Sequence, residues 1–331
     1  MSYVLPYILL AVGLVLLVKG ADFFVDGSAG IARYFRVPAL VIGLTIVAFG
    51  TSAPEAAVSI TAAIKGQNGI AVGNVLGSNL FNLLMVVGVC ALIRPMTVTR
   101  GVIFKEYPLM ILSGVALLAL GADTFLGDAS SNMISRGDGI ILLLFFCVFM
   151  FMTIRTALFS RPEAAQAEIE SVPKEEQGAN NKKISLPKNI LFAALGLGGV
   201  IGGGQLVVNS ASDIALSFGL SETLVGLTIV AIGTSLPELV TSVVAARKGE
   251  SDMAIGNVVG SNLFNIFFVL ATSATINPIA FSFESVIDSI IVIGVSVLVY
   301  LFILVRQNVN RIEGACMVAI YAAYTAYIIL R

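Results

Sequence analysis

Residues 43–55 read GLTIVAFGTSAPE, and 183 residues later residues 226–238 read GLTIVAIGTSLPE, with 11 of 13 positions identical. A second block keeps the same offset. Residues 73–82, GNVLGSNLFN, return as residues 256–265, GNVVGSNLFN, with 9 of 10 identical. Two blocks repeated in order at one constant offset mean that the chain is built from two related halves.

Of the 331 residues, 57% are hydrophobic and 12% charged, and the mean hydropathy is +0.98. A soluble domain carries roughly 25% charge, so this composition belongs to an integral membrane protein. The net charge is -1, and no basic excess points to nucleic acid. There is no histidine, which removes the commonest transition-metal ligand and general base. With no recognisable nucleophile and base, an enzyme is not expected, nor is a resident cofactor. Cys90, Cys147 and Cys316 stand singly in apolar runs and read as small core residues.

Apolar runs of about 20 residues, the thickness of a bilayer core, number ten: 5–24, 38–63, 69–93, 102–121, 137–157, 189–208, 221–246, 252–276, 285–305 and 312–330. The first lacks the basic start of a cleaved signal peptide and reads as a membrane helix. The expected fold is all-α and polytopic. Residues 1–157 and 189–331 are its two five-helix halves, and the polar stretch 158–188 is a solvated linker.

Fifteen Lys and Arg lie in or beside the odd-numbered loops, against three, Lys65, Arg136 and Arg331, on the other side; Lys19 remains within the first run, beside Asp22. Positive residues favour the cytoplasm, so the odd loops and the linker are expected there and both termini outside. A segment and its copy five spans later then cross the membrane in opposite directions, which makes the halves inverted repeats. Secondary transporters commonly use this plan, with sites near the midplane where broken helices meet, and channels can use it as well.

Gly50 and Gly233 fall at the centres of the second and seventh runs, and Pro54 and Pro237 follow them. A proline inside a helix lacks an N–H and crowds the preceding turn, so the carbonyls of Gly50 and Gly233 are expected to lose their partners. At mid-bilayer such a break lines a cavity, because freed groups need protein, water or a cation. Glu55 and Glu238 occupy matching positions there. An acidic side chain at that depth costs roughly 2.5–3.5 kcal/mol on insertion scales and reads as functional.

Ala48, Thr51, Ser52 and Glu55 share one helix face by spacing, as do Ala231, Thr234, Ser235 and Glu238. In the following runs Ser78 with Asn82, and Ser261 with Asn265, form i, i+4 pairs at the same depth. The expected result is a ring of oxygens around two carboxylates. Such a site suits Ca2+, which accepts many oxygens in irregular geometry, and Na+; Mg2+, Zn2+ and Cu2+ fit less well. Without a cation the carboxylates repel, which favours a proton or sodium in the site.

Gly73, Gly77, Gly256 and Gly260 read as small-residue packing faces. Asn74, Asn79, Asn257 and Asn262 lie off the face of Asn82 and Asn265, and stay open between ion ligands and helix-to-helix hydrogen bonds. Asp123, Asp128, Asp213, Glu222 and Glu284 read as solvated charge in or beside outer loops. The sixth run carries Gly196, Gly198, Gly199, Gly202, Gly203 and Gly204, too many for a helix chosen for stability, and implies close packing or sliding.

GTSAPE with GNVLGSNLFN, and GTSLPE with GNVVGSNLFN, resemble the paired alpha repeats of the cation/calcium antiporter superfamily, specifically of prokaryotic sodium/calcium exchangers. The resemblance covers all ten runs. It implies that the carbonyls of Ala48 and Ala231, the hydroxyls of Thr51, Ser52, Ser78, Thr234, Ser235 and Ser261, the carboxylates of Glu55 and Glu238 and the amides of Asn82 and Asn265 bind Ca2+ and Na+. It also implies that the first and sixth helices slide together across the other eight. Some relatives, including potassium-dependent exchangers, carry Asp at the position of Asn82 or Asn265. Both are Asn here, so potassium coupling is not expected.

On this reading the chain is a secondary antiporter of the cell membrane that extrudes Ca2+ in exchange for Na+ by alternating access. Its partners are those two ions, as transported substrates, and the lipid bilayer, with no nucleic acid and no obligatory protein partner. A proton-coupled or other divalent-cation antiporter is the alternative within the class, and a cation channel the alternative outside it.

Overall fold

The structure is a computed structural model that describes residues 5–126, 131–159, 185–218 and 231–330. Asp128, Glu222, most of the polar linker and the first part of the seventh expected span lie outside the described residues. The helices are α1 (Leu5–Phe35), α2 (Ala39–Thr51), α3 (Ala53–Ile64), α4 (Gly69–Ile93), α5 (Val102–Gly121) and α6 (Arg136–Phe159) in the first half. The second half holds α7 (Leu186–Ser217), α8 (Ala231–Gly233), α9 (Leu236–Lys248), α10 (Ser251–Ile276), α11 (Phe283–Arg306) and α12 (Arg311–Leu330). Among the described residues seven helices are long and apolar enough to cross a bilayer, and α2 with α3, bent by 50°, makes an eighth. Helices α9 and α12 stand where the two remaining spans are expected, so the element order agrees with ten spans in two halves.

The largest departure from expectation is the length of α1 and α7. The first apolar run ends at residue 24, yet α1 continues to Phe35 and stops only where Arg36 turns left-handed at φ 53, ahead of Pro38. Asp22, inside that run, and Asp26, just beyond it, do not end the helix. Spaced i, i+4, they reach the same cation, Lys248 Nζ, at 3.4 Å and 2.8 Å. With 31 and 32 residues, α1 and α7 are each about 46–48 Å long, well beyond a hydrocarbon core of about 30 Å.

These two helices lie against each other, backbone to backbone. A Cβ added at Gly20 would come 2.6 Å from the Val200 nitrogen, one at Gly203 would come 2.5 Å from the Leu17 nitrogen, and one at Gly196 would fall on the Phe24 backbone. Gly13 and Gly27 of α1 meet the α7 backbone in the same way and Gly30 meets the Asn189 side chain, so the glycine face of α1 runs from Gly13 to Gly30. Small residues let membrane helices approach this closely, and dispersion then replaces the hydrophobic effect as the source of adhesion.

The remaining helices are tied together across the repeat. Two short antiparallel ladders join loops of opposite halves: β1 (Met96–Thr97) pairs β4 (Asn308–Val309), and β2 (Met133–Ile134) pairs β3 (Ile279–Ala280). Of the seven long apolar helices, α10 is the most enclosed and α6 the least. Cys90 is buried as expected, whereas Cys147 on α6 and Cys316 on α12 are exposed on the outer surface. Lipid is as apolar as a protein core, so an apolar run alone does not tell the two apart.

Candidate ion-binding site

Both helix breaks sit one turn before a glutamate. Helix α2 ends at Thr51 and α3 begins at Ala53, with Ser52 between them at φ -82, ψ 8. In the second half α8 ends at Gly233 and α9 begins at Leu236, with Ser235 at φ -93, ψ 5. Pro54 and Pro237 thus open helices rather than interrupt them, at positions where no N–H is needed. The breaks fall at Ser52 and at Thr234–Ser235, between the glycines whose carbonyls face a proline four residues on and those prolines themselves. Glu55 and Glu238 then lie in the first turns of α3 and α9, where the helix dipole favours a carboxylate.

The two halves exchange their polar contacts. The Ser52 hydroxyl donates to Glu238 Oε1 at 2.7 Å and lies 2.9 Å from the Ser261 hydroxyl. Its repeat mate does the reverse: the Ser235 hydroxyl donates to Glu55 Oε1 at 2.9 Å and lies 3.1 Å from the Ser78 hydroxyl. The Ala48 carbonyl accepts from the Thr51 hydroxyl at 3.3 Å and from the Ser261 hydroxyl at 3.5 Å. Glu55, Glu238, Ser52, Ser235, Thr51, Ser78, Ser261, Asn82 and Asn265 are all buried, with Thr234 at the margin. Ala231 opens α8, three residues before Thr234.

Four atoms of this cluster are left over. Among the described residues Glu55 Oε2, Glu238 Oε2, Asn82 Oδ1 and Asn265 Oδ1 are buried without a hydrogen-bond partner. Leaving a buried polar atom unsatisfied costs about 1–3 kcal/mol, and more for a charged one. All four are acceptors, in symmetry-related pairs, so what satisfies them must be a cation, a proton or water. Thr241 Oγ1, three residues after Glu238, is also buried and unpartnered. Its first-half counterpart is Val58.

The four open asparagines turn out to be bonded between helices. Asn74 Nδ2 donates to Ser59 Oγ at 2.9 Å and to the Glu55 carbonyl at 3.3 Å. Asn257 Nδ2 donates to Ser242 Oγ at 2.9 Å and to the Glu238 carbonyl at 3.5 Å. The Thr51 hydroxyl reaches Asn257 Oδ1 at 3.1 Å, and the Thr234 hydroxyl reaches Asn74 Oδ1 at 3.5 Å. Ser59 and Ser242 were missed by sequence reasoning, although each stands four residues after its glutamate and the two share the 183-residue offset. Asn79 and Asn262 bond each other's backbone across the repeat interface.

Gly256 and Gly260 pack as expected, since a Cβ there would meet the carbonyls of Leu40 and Leu44 at 2.7 Å. The matching partners of Gly73 and Gly77 fall in residues 219–230, outside the described residues. Helix α7 also covers both breaks: a Cβ at Gly50 would come 2.8 Å from Leu197 Cδ1, and one at Gly233 would fall on Val208 Cγ2.

The Sodium/calcium exchanger protein family model matches residues 5–155 and 188–330. The sodium/calcium exchanger MaX1 of Methanosarcina acetivorans is 32% identical over 338 residues, covering 96% of this chain and 97% of its own. The inner membrane protein YrbG of Escherichia coli is 41% identical over 273 residues, covering 82% and 79%. Among solved structures, the sodium-calcium exchanger NCX_Mj soaked with 10 mM Na+ and zero Ca2+ superposes with a TM-score of 0.82 at 32% identity, covering 98% of each chain. Fold, repeat and sequence therefore agree that the chain belongs to the sodium/calcium exchanger family.

Proposed function

We propose that the protein exchanges Na+ for Ca2+ across the cell membrane, with the two ions competing for one site built around Glu55 and Glu238. The observation that carries this reading is the reciprocal Ser52–Glu238 and Ser235–Glu55 pairing, which leaves one oxygen of each carboxylate and one of each amide, Asn82 and Asn265, unsatisfied. Two carboxylates neutralise one Ca2+ or two Na+, so loading by either ion removes their repulsion. Uncharged oxygens from Thr51, Ser52, Ser78, Thr234, Ser235, Ser261 and the Ala48 and Ala231 carbonyls complete a shell that suits a hard cation of flexible coordination.

Alternating access follows if α1 and α7 move as a pair. Their glycine-lined contact makes them one unit, and α7 lies over both helix breaks, so a shift of that pair changes which side reaches the carboxylates. We assign residues 1–157 and 189–331 as the inverted halves. Lys and Arg crowd the odd loops, which supports cytoplasmic odd loops, a cytoplasmic 158–188 linker and outer termini. With the inward sodium gradient as the driving force, Ca2+ leaves the cell.

The test is Ca2+ flux into proteoliposomes with and without an opposing Na+ gradient. Flux that requires Na+ on the opposite side supports exchange. Flux that runs without Na+ and follows an imposed pH gradient assigns the protein to proton coupling, and flux that needs no counter-ion makes it a channel; either result overturns the proposal.

A further inference from the structure

At the repeat interface four asparagine side chains form one closed network, and only two of them belong to the site above. Asn82 Nδ2 donates to Asn262 Oδ1 at 3.2 Å, and Asn265 Nδ2 donates to Asn79 Oδ1 at 3.1 Å. Asn262 Nδ2 donates to the Asn79 backbone carbonyl, and Asn79 Nδ2 to the Asn262 backbone carbonyl, both at 3.4 Å; Asn262 Nδ2 also meets Met110 Sδ at 3.5 Å. All four residues are buried. Each bond between amides runs from one half of the chain to the other.

An amide has a donor end and an acceptor end, and a lone buried amide can be turned either way. This network can be turned only one way. The two backbone carbonyls accept and never donate, so they fix the N–H2 ends of Asn79 and Asn262. The Oδ1 ends of those residues then face Asn265 and Asn82, and must be met by N–H2. Reversing Asn82 alone would set two acceptors against each other at the 3.2 Å contact. What remains for Asn82 and Asn265 is to present Oδ1 away from the network, and those are the two amide oxygens without a partner.

We infer that Asn79 and Asn262 are positioning residues for ion exchange: they lock the amides of Asn265 and Asn82 with oxygen, rather than N–H2, turned to the transported cation. Neither touches the ion. The inference rests on the ion-site reading above. Its physical content is that a freely turning amide spends part of its time presenting N–H donors, which repel Na+ and Ca2+, and must be reoriented before each binding event. Because each clamp reaches from one half to the other, the lock holds only while α4 and α10 keep their register.

The experiment uses the full-length protein in detergent, with Ca2+ and Na+ themselves as probes. Asn262→Leu removes the acceptor for Asn82 and is expected to weaken Ca2+ binding by roughly tenfold, the worth of one buried hydrogen bond. Asn262→Asp keeps an acceptor facing Asn82 and is expected to bind Ca2+ better than Asn262→Leu. The charge that Asp adds attracts Ca2+ whether or not Asn82 is present, so the clamp is read from the part of the Asp-over-Leu gain that disappears in the Asn82→Ala background. In the Asn82→Ala background Asn262→Leu is expected to have no further effect, because its action passes through Asn82.

Equal losses for Asn262→Leu with and without Asn82, a better-binding Leu than Asp variant, or an Asp-over-Leu gain undiminished in the Asn82→Ala background would overturn the clamp. Wild-type affinity in Asn82→Ala would instead overturn the ion-site reading on which it rests. Asn79→Leu and Asn79→Asp, read against Asn265→Ala, repeat the test in the other half should the first set fail to fold.

Discussion

Glu55→Gln changes one atom of the candidate site and separates its charge from its shape. Gln keeps an Oε1 that can accept from the Ser235 hydroxyl, now at 2.9 Å from Glu55 Oε1, and places Nε2 where the unpartnered Oε2 stood. Without ions the variant is expected to be at least as stable as the wild type, because one of two buried carboxylates is gone and N–H donors enter a cluster of unsatisfied acceptors. With ions the sign reverses. Two unit charges about 4 Å apart at an effective dielectric near 20 interact by about 4 kcal/mol, which is nearly a thousandfold in affinity for a monovalent ion and more for a divalent one. Ca2+ at a hundredfold excess over its Kd stabilises a protein by about 2.7 kcal/mol; after a thousandfold loss of affinity the same concentration gives less than about 0.1 kcal/mol. Thermal melting of the purified protein with and without Ca2+ measures both signs. A Glu55→Gln variant whose Ca2+-induced shift equals that of the wild type would refute the reasoning.

Ser52→Ala and Ser235→Ala each remove the donor to the opposite glutamate and are expected to weaken Ca2+ binding to similar extents, by about tenfold, since the two contacts are repeat mates; unequal losses of more than about tenfold would break the symmetry argument. Gly196→Ala forces a Cβ onto the Phe24 backbone and is expected to lower stability by about 1–3 kcal/mol or to block exchange. Gly198→Ala, exposed and with no described atom within 4 Å, is expected to be neutral or stabilising by up to about 1 kcal/mol in melting scans. In a background lacking Cys90, Cys147 and Cys316, Lys65→Cys is expected to react with a membrane-impermeant thiol reagent from outside the cell and Arg94→Cys from inside.

The repeat itself was readable because identity at a constant offset needs no knowledge of structure. So was the polar segment of each half, since Thr51, Ser52 and Glu55 stand within one turn of one another in the sequence; the 50° bend at Ser52 is what helical spacing does not give. What could not be read was anything that depends on the partner helix. That Ser52 bonds Glu238 rather than Glu55 is a fact of the interface between halves, and no local spacing encodes it. The roles of Asn79 and Asn262 were hidden for the same reason, because an amide's orientation is decided by the carbonyls opposite. Helix ends were misread where hydropathy and helix propensity part company. Asp22 and Asp26 are too polar for the bilayer core but continue α1 without strain, and Arg36 and Pro38 are what stop it. The ladders joining β1 to β4 and β2 to β3 are two residues long, below the length at which alternation of side chains gives a strand signal.

The most direct test of the account is an experimental structure of the protein in Ca2+ and again in Na+ without Ca2+. The account predicts a Ca2+ peak about 2.3–2.6 Å from both Glu55 Oε2 and Glu238 Oε2, replaced by Na+ at overlapping positions in the second condition, with Asn82 Oδ1 and Asn265 Oδ1 turned toward the ions. Ca2+ bound elsewhere while the two carboxylates keep only protein or water partners would contradict it.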